Sequence, residues 1–278
     1  MTTTTLTATQ LVRDRFNRVA HSYADAAVLS QSLAEQIHDR LQFIKLEPAR
    51  ILDLGSGPGT LTPVLKTLYS EATVYALDVA EKMLLDIPNA ICADAACIPL
   101  ANHSIDFCCM NLLLPFLSDR KIIFQEVKRI LKPGGLLLFT TLGPDTLKEL
   151  RTCFKAVDNQ PHTFPFTDMH DIGDELMSLR FEDPVVDMQT QTLAYKDLHT
   201  LHRDLKQSGA SFPDASSSLN KAEYQQLLAA FDAQREEGYV PMTAEIIFGH
   251  AWRAPLQVDN TADASGEVHI SLDQIQRR

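Results

Sequence analysis

The sequence is short of positive charge. Its 25 Lys and Arg stand against 36 Asp and Glu, a formal net charge of −11 over 278 residues. An acidic chain does not collect on phosphate backbones, which argues against general nucleic-acid binding. Long hydrophobic runs are also missing. The most apolar stretch, residues 107–117, is too short to span a bilayer and is broken by Asn111 and Pro115. No membrane association is expected. The first ten residues, MTTTTLTATQ, have neither a basic n-region nor an apolar h-region, and no Arg-rich transit segment is evident. The five cysteines, Cys92, Cys97, Cys108, Cys109 and Cys153, include no CxxC pair. Reduced, buried thiols in a cytoplasmic protein are expected. No Ser-His or Cys-His pair stands out as nucleophile and base.

What is present is globular: 45% hydrophobic and 22% charged residues. Residues 7–46 repeat apolar side chains at three and four, with a break near 22–29, which predicts two helices. Residues 50–54 form a short apolar run that ends in glycines, a buried strand entering a turn. A helix over 61–69, a strand over 73–77 closed by Asp78, a helix over 81–85 and a strand over 90–92 follow. Residues 105–111 predict a fourth strand, 119–130 an amphipathic helix, and 136–142 a fifth strand. Lys132-Pro133-Gly134-Gly135 stops that helix. Cys108 and Cys109 are adjacent in a strand, so they should point to opposite faces. Alternating strands and helices mean parallel βαβ units under helices on both faces of a sheet. Two late strands, 185–193 and 244–252, enclose helices over 195–206 and 221–236, which stand outside the alternation. The expected division is an N-terminal helical lid (1–46), a sheet domain (47–253) with an inserted helical cap at about 195–236, and a polar tail (254–278).

The chemistry centres on Asp53-Leu54-Gly55-Ser56-Gly57-Pro58-Gly59. Glycines there let the backbone turn sharply and approach a ligand. In an open α/β sheet the ligand lies outside the carboxyl ends of the strands. A dinucleotide site needs GxGxxG, but Thr60 stands where its last glycine belongs. Asp53 would also repel a pyrophosphate. A ligand with an ammonium and a sulfonium suits that carboxylate instead. Asp78 ends the second strand, where an acid can accept both ribose hydroxyls. Asp94-Ala95 follows the third strand, within reach of an adenine amine, and Asn111 ends the fourth.

In order, DLGSGPG, ALD, ADA and LKPGG resemble the class I S-adenosylmethionine-dependent methyltransferases. The resemblance implies a doubly wound, Rossmann-like α/β sheet of seven strands in the order 3-2-1-4-5-7-6, the last-made strand antiparallel. It implies S-adenosyl-L-methionine as cofactor. The binding set would be Asp53, Gly55, Ser56, Gly57, Gly59, Asp78, Met83, Asp94, Ala95 and Asn111, with no metal. Asp168, His170 and Asp171 are read as a helix cap rather than a metal site.

Three further segments resemble a narrower family, the malonyl-acyl-carrier-protein O-methyltransferases of early biotin synthesis. They are Arg15-Phe16-Asn17-Arg18-Val19-Ala20 with Tyr23, then GPDTLKELR over 143–151, and Phe248-Gly249-His250-Ala251-Trp252. Such enzymes esterify the free carboxylate of a malonyl thioester. The expected partner is malonyl-acyl-carrier protein, or malonyl-coenzyme A, and the expected state is a monomer. Arg151 is the candidate to grip the carboxylate with its planar fork. Tyr23 is the candidate lid residue over the cofactor. Lys196, His199, Arg203 and Lys206 share one helix face and form a candidate docking stripe for an acidic carrier; Lys128, Arg129 and Lys132 form the alternative. His21 and His162 stand alone. GPDTLKELR also resembles a methyltransferase-fold arginine hydroxylase of respiratory complex I assembly, and a non-catalytic cofactor-binding assembly factor is the third reading.

Overall fold

The computed structural model describes residues 7–158, 160–211 and 219–255. Seven strands form one sheet: β1 (Arg50–Leu54), β2 (Thr73–Asp78), β3 (Ala90–Cys92), β4 (Ile105–Asn111), β5 (Leu131–Leu142), β6 (Phe181–Tyr195) and β7 (Val240–Arg253). Their order is β3-β2-β1-β4-β5-β7-β6, the order anticipated from the motifs. β1 pairs in parallel with β2 and β4, and β7 runs antiparallel to both β5 and β6.

The helices are α1 (Ala8–Val19), α2 (Tyr23–Ala26), α3 (Val28–Leu41), α4 (Thr62–Leu68), α5 (Arg120–Ile130), α6 (Lys148–Phe154), α7 (Met169–Ser178), α8 (Leu198–Gln207) and α9 (Lys221–Asp232). Their starts follow the sequence chemistry. Thr7 and Gln10 form a capping box at α1, Asp119 caps α5, Asp168 caps α7 and Asn220 caps α9. Asp168 therefore does the work of a cap: it accepts from the His170 N–H at 2.8 Å.

Two apolar layers sandwich the sheet because consecutive strand residues face opposite sides. Leu52, Cys108, Leu137 and Phe139 pack on one side against Phe124, Val127, Ile172 and Leu176 of α5 and α7. Ile51, Phe107, Cys109 and Leu138 pack on the other against Leu33, Ile37 and Leu65 of α3 and α4. Cys108 and Cys109 thus divide between the layers as adjacency requires. Each fully buried Leu or Phe here contributes about 1.5–3 kcal/mol over an exposed one. A third cluster joins α6, α8 and α9 to the near end of β7 through Leu150, Leu201, Phe231 and Met242. α8 and α9, between β6 and β7 in sequence, are held to the sheet by that cluster.

The structure departs from the sequence reading at particular places. Residues 81–85 do not form an α-helix; Glu81–Met83 make a single 3-10 turn. β5 begins at Leu131, before the glycines: Leu131 pairs with Ile105 and Leu136 with Phe107. Residues 132–135 bulge out between those pairings, with Gly134 at a φ of 73°. β6 and β7 run longer than expected because they pair with each other along most of their length. Cys92 and Cys97 are exposed, whereas the other three cysteines are buried as expected. Of the anticipated tail, residues 256–278 lie outside the described residues.

One contact fixes how β7 seats on the sheet. Gly249 pairs with Phe139, and a Cβ at that glycine would come within 2.1 Å of the buried Phe139 ring. Gly249→Ala is expected to lower stability by about 1–3 kcal/mol, through overpacking that displaces the ring. Urea unfolding checks this; an unchanged midpoint would mean the ring has free space to move.

Candidate active site

The site grows from the carboxyl end of β1. Gly55 takes a φ of 72°, in the left-handed region, and a Cβ there would meet Leu113 at 2.7 Å. Glycine is thus needed both for the turn and for the close approach of the β4 loop. The turn is tied to β2. Gly55 and Ser56 donate their N–H groups to the Leu77 carbonyl at 2.7 and 3.0 Å. Gly57 N–H donates to Asp78 Oδ2 at 2.9 Å, and Ala80 N–H donates to Asp78 Oδ1 at 2.8 Å. Burial raises the pKa of Asp78, and those backbone donors oppose the rise.

Asp53 is 1% exposed. Thr62 Oγ1 donates to its Oδ2 at 2.6 Å. Its Oδ1 has no hydrogen-bond partner among the described residues. Burial pushes its pKa up to about 7; the Thr62 hydroxyl opposes this and Asp78 adds to it. A buried carboxylate in that state gains from a neighbouring cation.

A cavity opens at this end of the sheet. Gly55, Gly57, Asp78, Asp94, Ala95 and Asn111 line it, and so does Tyr23. Thr9, Val12 and Phe16 of α1 close its other side. Four predicted residues do not form its wall. Asp53 is sealed beneath it, Ser56 and Gly59 form the turn, where Gly59 N–H donates to Ser56 O at 3.0 Å, and Met83 packs against Val19 with Phe16 and Tyr23 beside it. Asn111 is held from both flanks: its Nδ2 donates to Ser30 O at 2.9 Å, and its Oδ1 accepts from Thr140 Oγ1 at 2.7 Å. Asp94 accepts from Ala96 N–H at 2.9 Å.

A second cavity, largely apolar, shares Tyr23, Leu112 and Phe116 with the first. Leu147, Phe164, Leu193 and Tyr195 contribute to its wall. Tyr23 thus stands at the boundary of the two spaces. Its hydroxyl hydrogen-bonds Ser30, and burial raises its pKa, so it is a neutral phenol at physiological pH.

Arg151 opens on neither space. Its guanidinium donates to the carbonyls of Pro144 and Thr146, and it lines an outer cleft beside Lys155, Phe154 and His162. His162, which looked solitary in sequence, lines both the second cavity and that cleft. It stacks on Phe154 with ring centroids 3.6 Å apart and pairs with Asp158 at 2.8 Å. The available signal was the aromatic run Phe164-Pro165-Phe166 beside it. The expected stripe is corrected: α8 begins at Leu198 with Asp197 as its cap, so Lys196 lies before the helix; His199, Arg203 and Lys206 are exposed on α8, and Arg203 pairs with Asp204 at 3.4 Å. The alternative patch is already committed: Arg129 pairs with Glu126 at 2.8 Å, Lys132 with Asp106 at 2.6 Å, and Lys128 donates to the Leu179 carbonyl.

The sheet order and the glycine-loop cavity define a class I methyltransferase, and the family model described as "Methyltransferase domain" matches residues 52–139. The chain belongs to the malonyl-acyl-carrier-protein O-methyltransferase family. It is 39% identical to the family member of Gallionella capsiferriformans, covering 91% of this chain and 93% of that protein. It is 37% identical to malonyl-acyl-carrier-protein O-methyltransferase 1 of Coxiella burnetii, covering 96% and 95%. Among solved structures it is similar in fold to phosphoethanolamine N-methyltransferase 2 of Haemonchus contortus in complex with S-adenosyl-L-methionine. That likeness has a TM-score of 0.52 at 13% identity, over 90% of this chain and 61% of that one. Among the described residues no helix is long and apolar enough to cross a membrane.

The state of Asp53 has a measurable consequence. Its carboxyl ionises near 3.8 in an unfolded chain and at about 7 in the folded one. Between those values the folded protein holds the extra proton, so ligand-free stability falls as pH rises through that window. Asp53→Asn keeps an acceptor for Thr62 and removes this component. At pH 8 the variant is expected to be more stable than the parent by on the order of 2–4 kcal/mol, with the difference vanishing near pH 4. Parallel urea titrations at the two pH values check it; identical pH profiles would contradict it.

Proposed function

We propose that this protein uses S-adenosyl-L-methionine to methylate the free carboxylate of a malonyl thioester, carried by acyl-carrier protein, in early biotin synthesis. The observation that carries the reading is the pair of adjoining cavities divided at Tyr23, in a chain of this family. One is acid-lined and suits a cationic cofactor; the other is apolar and suits an acyl thioester.

The residues present fit that cofactor. Asp53 offers a buried oxygen without a partner, and Asp78 keeps lone pairs beyond its two backbone donors, enough for ribose hydroxyls. Asp94 and Ala95 take the adenine end, and Gly55, Ser56, Gly57 and Gly59 shape the turn under the methionyl part. Asn111 holds the wall of the cofactor cavity, and Met83 supports α1 and Tyr23 from behind. S-adenosylmethionine, when bound, supplies an electrophilic methyl group.

A malonyl carboxylate is already ionised at neutral pH, so the chain need not provide a general base. What the protein contributes is alignment of a carboxylate oxygen with the methyl carbon, and exclusion of water. Tyr23, Leu112 and Phe116 form the boundary at which the two meet. Tyr23 is placed to donate its phenolic proton in a hydrogen bond to the carboxylate oxygen that does not react. Arg151 fixes the turn through its bonds to Pro144 and Thr146, and that turn carries Thr146 and Leu147 into the wall of the acyl cavity. This is a positioning role. Lys196, His199, Arg203 and Lys206 form the docking face for an acidic carrier, because all four are exposed. A cytoplasmic monomer suits this reading.

Incubation with S-adenosylmethionine and malonyl-acyl-carrier protein should add one methyl to the carrier by intact mass. No gain, or one oxygen added to a protein arginine instead, would overturn the reading. Asp78→Ala should weaken S-adenosylhomocysteine binding by about tenfold or more in calorimetry, as expected for lost charged hydrogen bonds. Unchanged affinity would remove Asp78 from the cofactor site.

A further inference from the structure

The spaces described above form a series. The first and second share Tyr23, Leu112 and Phe116. The second and the outer cleft share His162, Thr163, Phe164 and Phe166. The three spaces therefore adjoin in order, and the 162–166 segment contributes to the wall of both the second cavity and the cleft.

The outer cleft is cationic in an otherwise acidic chain. Arg151 and Lys155 stand four residues apart, at the end of α6 and just beyond it, so they share one face, and both line the cleft. Lys155 is exposed, and its ammonium has no hydrogen bond or ion pair among the described residues. Arg151 commits one donor each from Nη1 and Nη2 to carbonyls, and a guanidinium has about five. The carboxylate in the same wall, Asp158, is already engaged. It accepts from Gln160 N–H at 2.9 Å and pairs with His162 at 2.8 Å. The bond from His162 holds its pKa below the usual carboxylate range. Two cations, Arg151 and Lys155, face one carboxylate, so the net charge facing the cleft is positive.

We infer that the outer cleft is a phosphate site, in which Lys155 and the remaining Arg151 donors hold the phosphate of a phosphopantetheine arm while its thioester reaches past His162 and Phe164 into the second cavity. The inference rests on the reading of the site as a malonyl-thioester methyltransferase and adds how that substrate is gripped at its distant end. Lys is suited to the task as a point charge on phosphate, and the arginine fork adds directed donors. The same phosphate occurs in acyl-carrier protein and in coenzyme A, so the site recognises the arm rather than either carrier.

The test compares 4′-phosphopantetheine with pantetheine, which lacks the phosphate. Calorimetry on the full chain should show the phosphorylated arm binding roughly tenfold tighter. Lys155→Glu should abolish that advantage and Lys155→Ala reduce it, while S-adenosylhomocysteine affinity stays unchanged. In turnover, Lys155→Glu should raise KM for malonyl-phosphopantetheine without changing kcat, and leave malonyl-pantetheine unaffected. Equal affinity for the two arms, or an advantage that survives Lys155→Glu, would overturn the assignment. An equal rise in KM for malonyl-acyl-carrier protein and malonyl-coenzyme A supports the shared phosphate. A rise confined to the carrier protein would assign Lys155 to the protein surface and overturn the phosphate site. If the parent methylates no malonyl thioester, the functional reading falls, and the binding comparison still decides the phosphate site.

Discussion

Asp78 receives the N–H groups of Gly57 and Ala80, and these two bonds tie the glycine turn after β1 to the end of β2. β1 and β2 are buried parallel neighbours, so the backbone groups of the turns that leave them need partners close by. One carboxylate supplies two. With the turns fixed, the rest of the site follows: Leu113 closes on Gly55, the first cavity takes its shape, and α1 has a surface to meet. α1 is bonded to the same region, since Lys82 N–H donates to its Asn17 Oδ1 at 3.0 Å. A group that organises both loops and still has free lone pairs is well placed to bind a ligand, because its geometry is set before the ligand arrives.

The electrostatics divide the series of cavities by task. At the inner end stand Asp78 and Asp94, with Asp53 buried beneath them. The middle is walled mainly by Leu and aromatic side chains, and the outer cleft presents Lys155 and Arg151. A cationic cofactor, an acyl thioester and a phosphorylated arm match that order. An apolar wall in the middle section offers few polar groups to hold water beside an acyl chain. Burial, which makes Asp53 costly in the ligand-free protein, is the same condition that makes a bound cation favourable there.

Much of this was legible in the chain. The strand-and-turn texture of Arg50–Leu54 and Thr73–Asp78, and the acid at each carboxyl end, marked the sheet and the first cavity. Their periodicity and spacing are local. The start of β5 was misread because Lys132-Pro133-Gly134-Gly135 breaks the pattern in sequence, while the strand continues on either side of a bulge in space. The other cavities were harder still. Their walls join α2, the β4 loop, the 162–166 segment and β7, which no window of sequence brings together. His162 looked isolated for that reason. Arg151 was recognisable as a notable residue, but the sequence could not tell that the Pro144 and Thr146 carbonyls would take up its guanidinium. The Lys128, Arg129 and Lys132 cluster read as a free basic patch because its partners, Glu126 apart, lie far along the chain.

On the proposed reading, the cofactor binds in the acid-lined cavity and contacts the N-terminal helices that bear Phe16 and Tyr23. Hydrogen exchange with and without S-adenosylhomocysteine tests this most directly. The account requires slowed exchange in the 55–59 turn, in residues 78–80 and 93–96, and in α1 and α2, with the 151–166 cleft segment unchanged. Protection confined to the cleft segment, with the glycine turn exchanging as before, would contradict it.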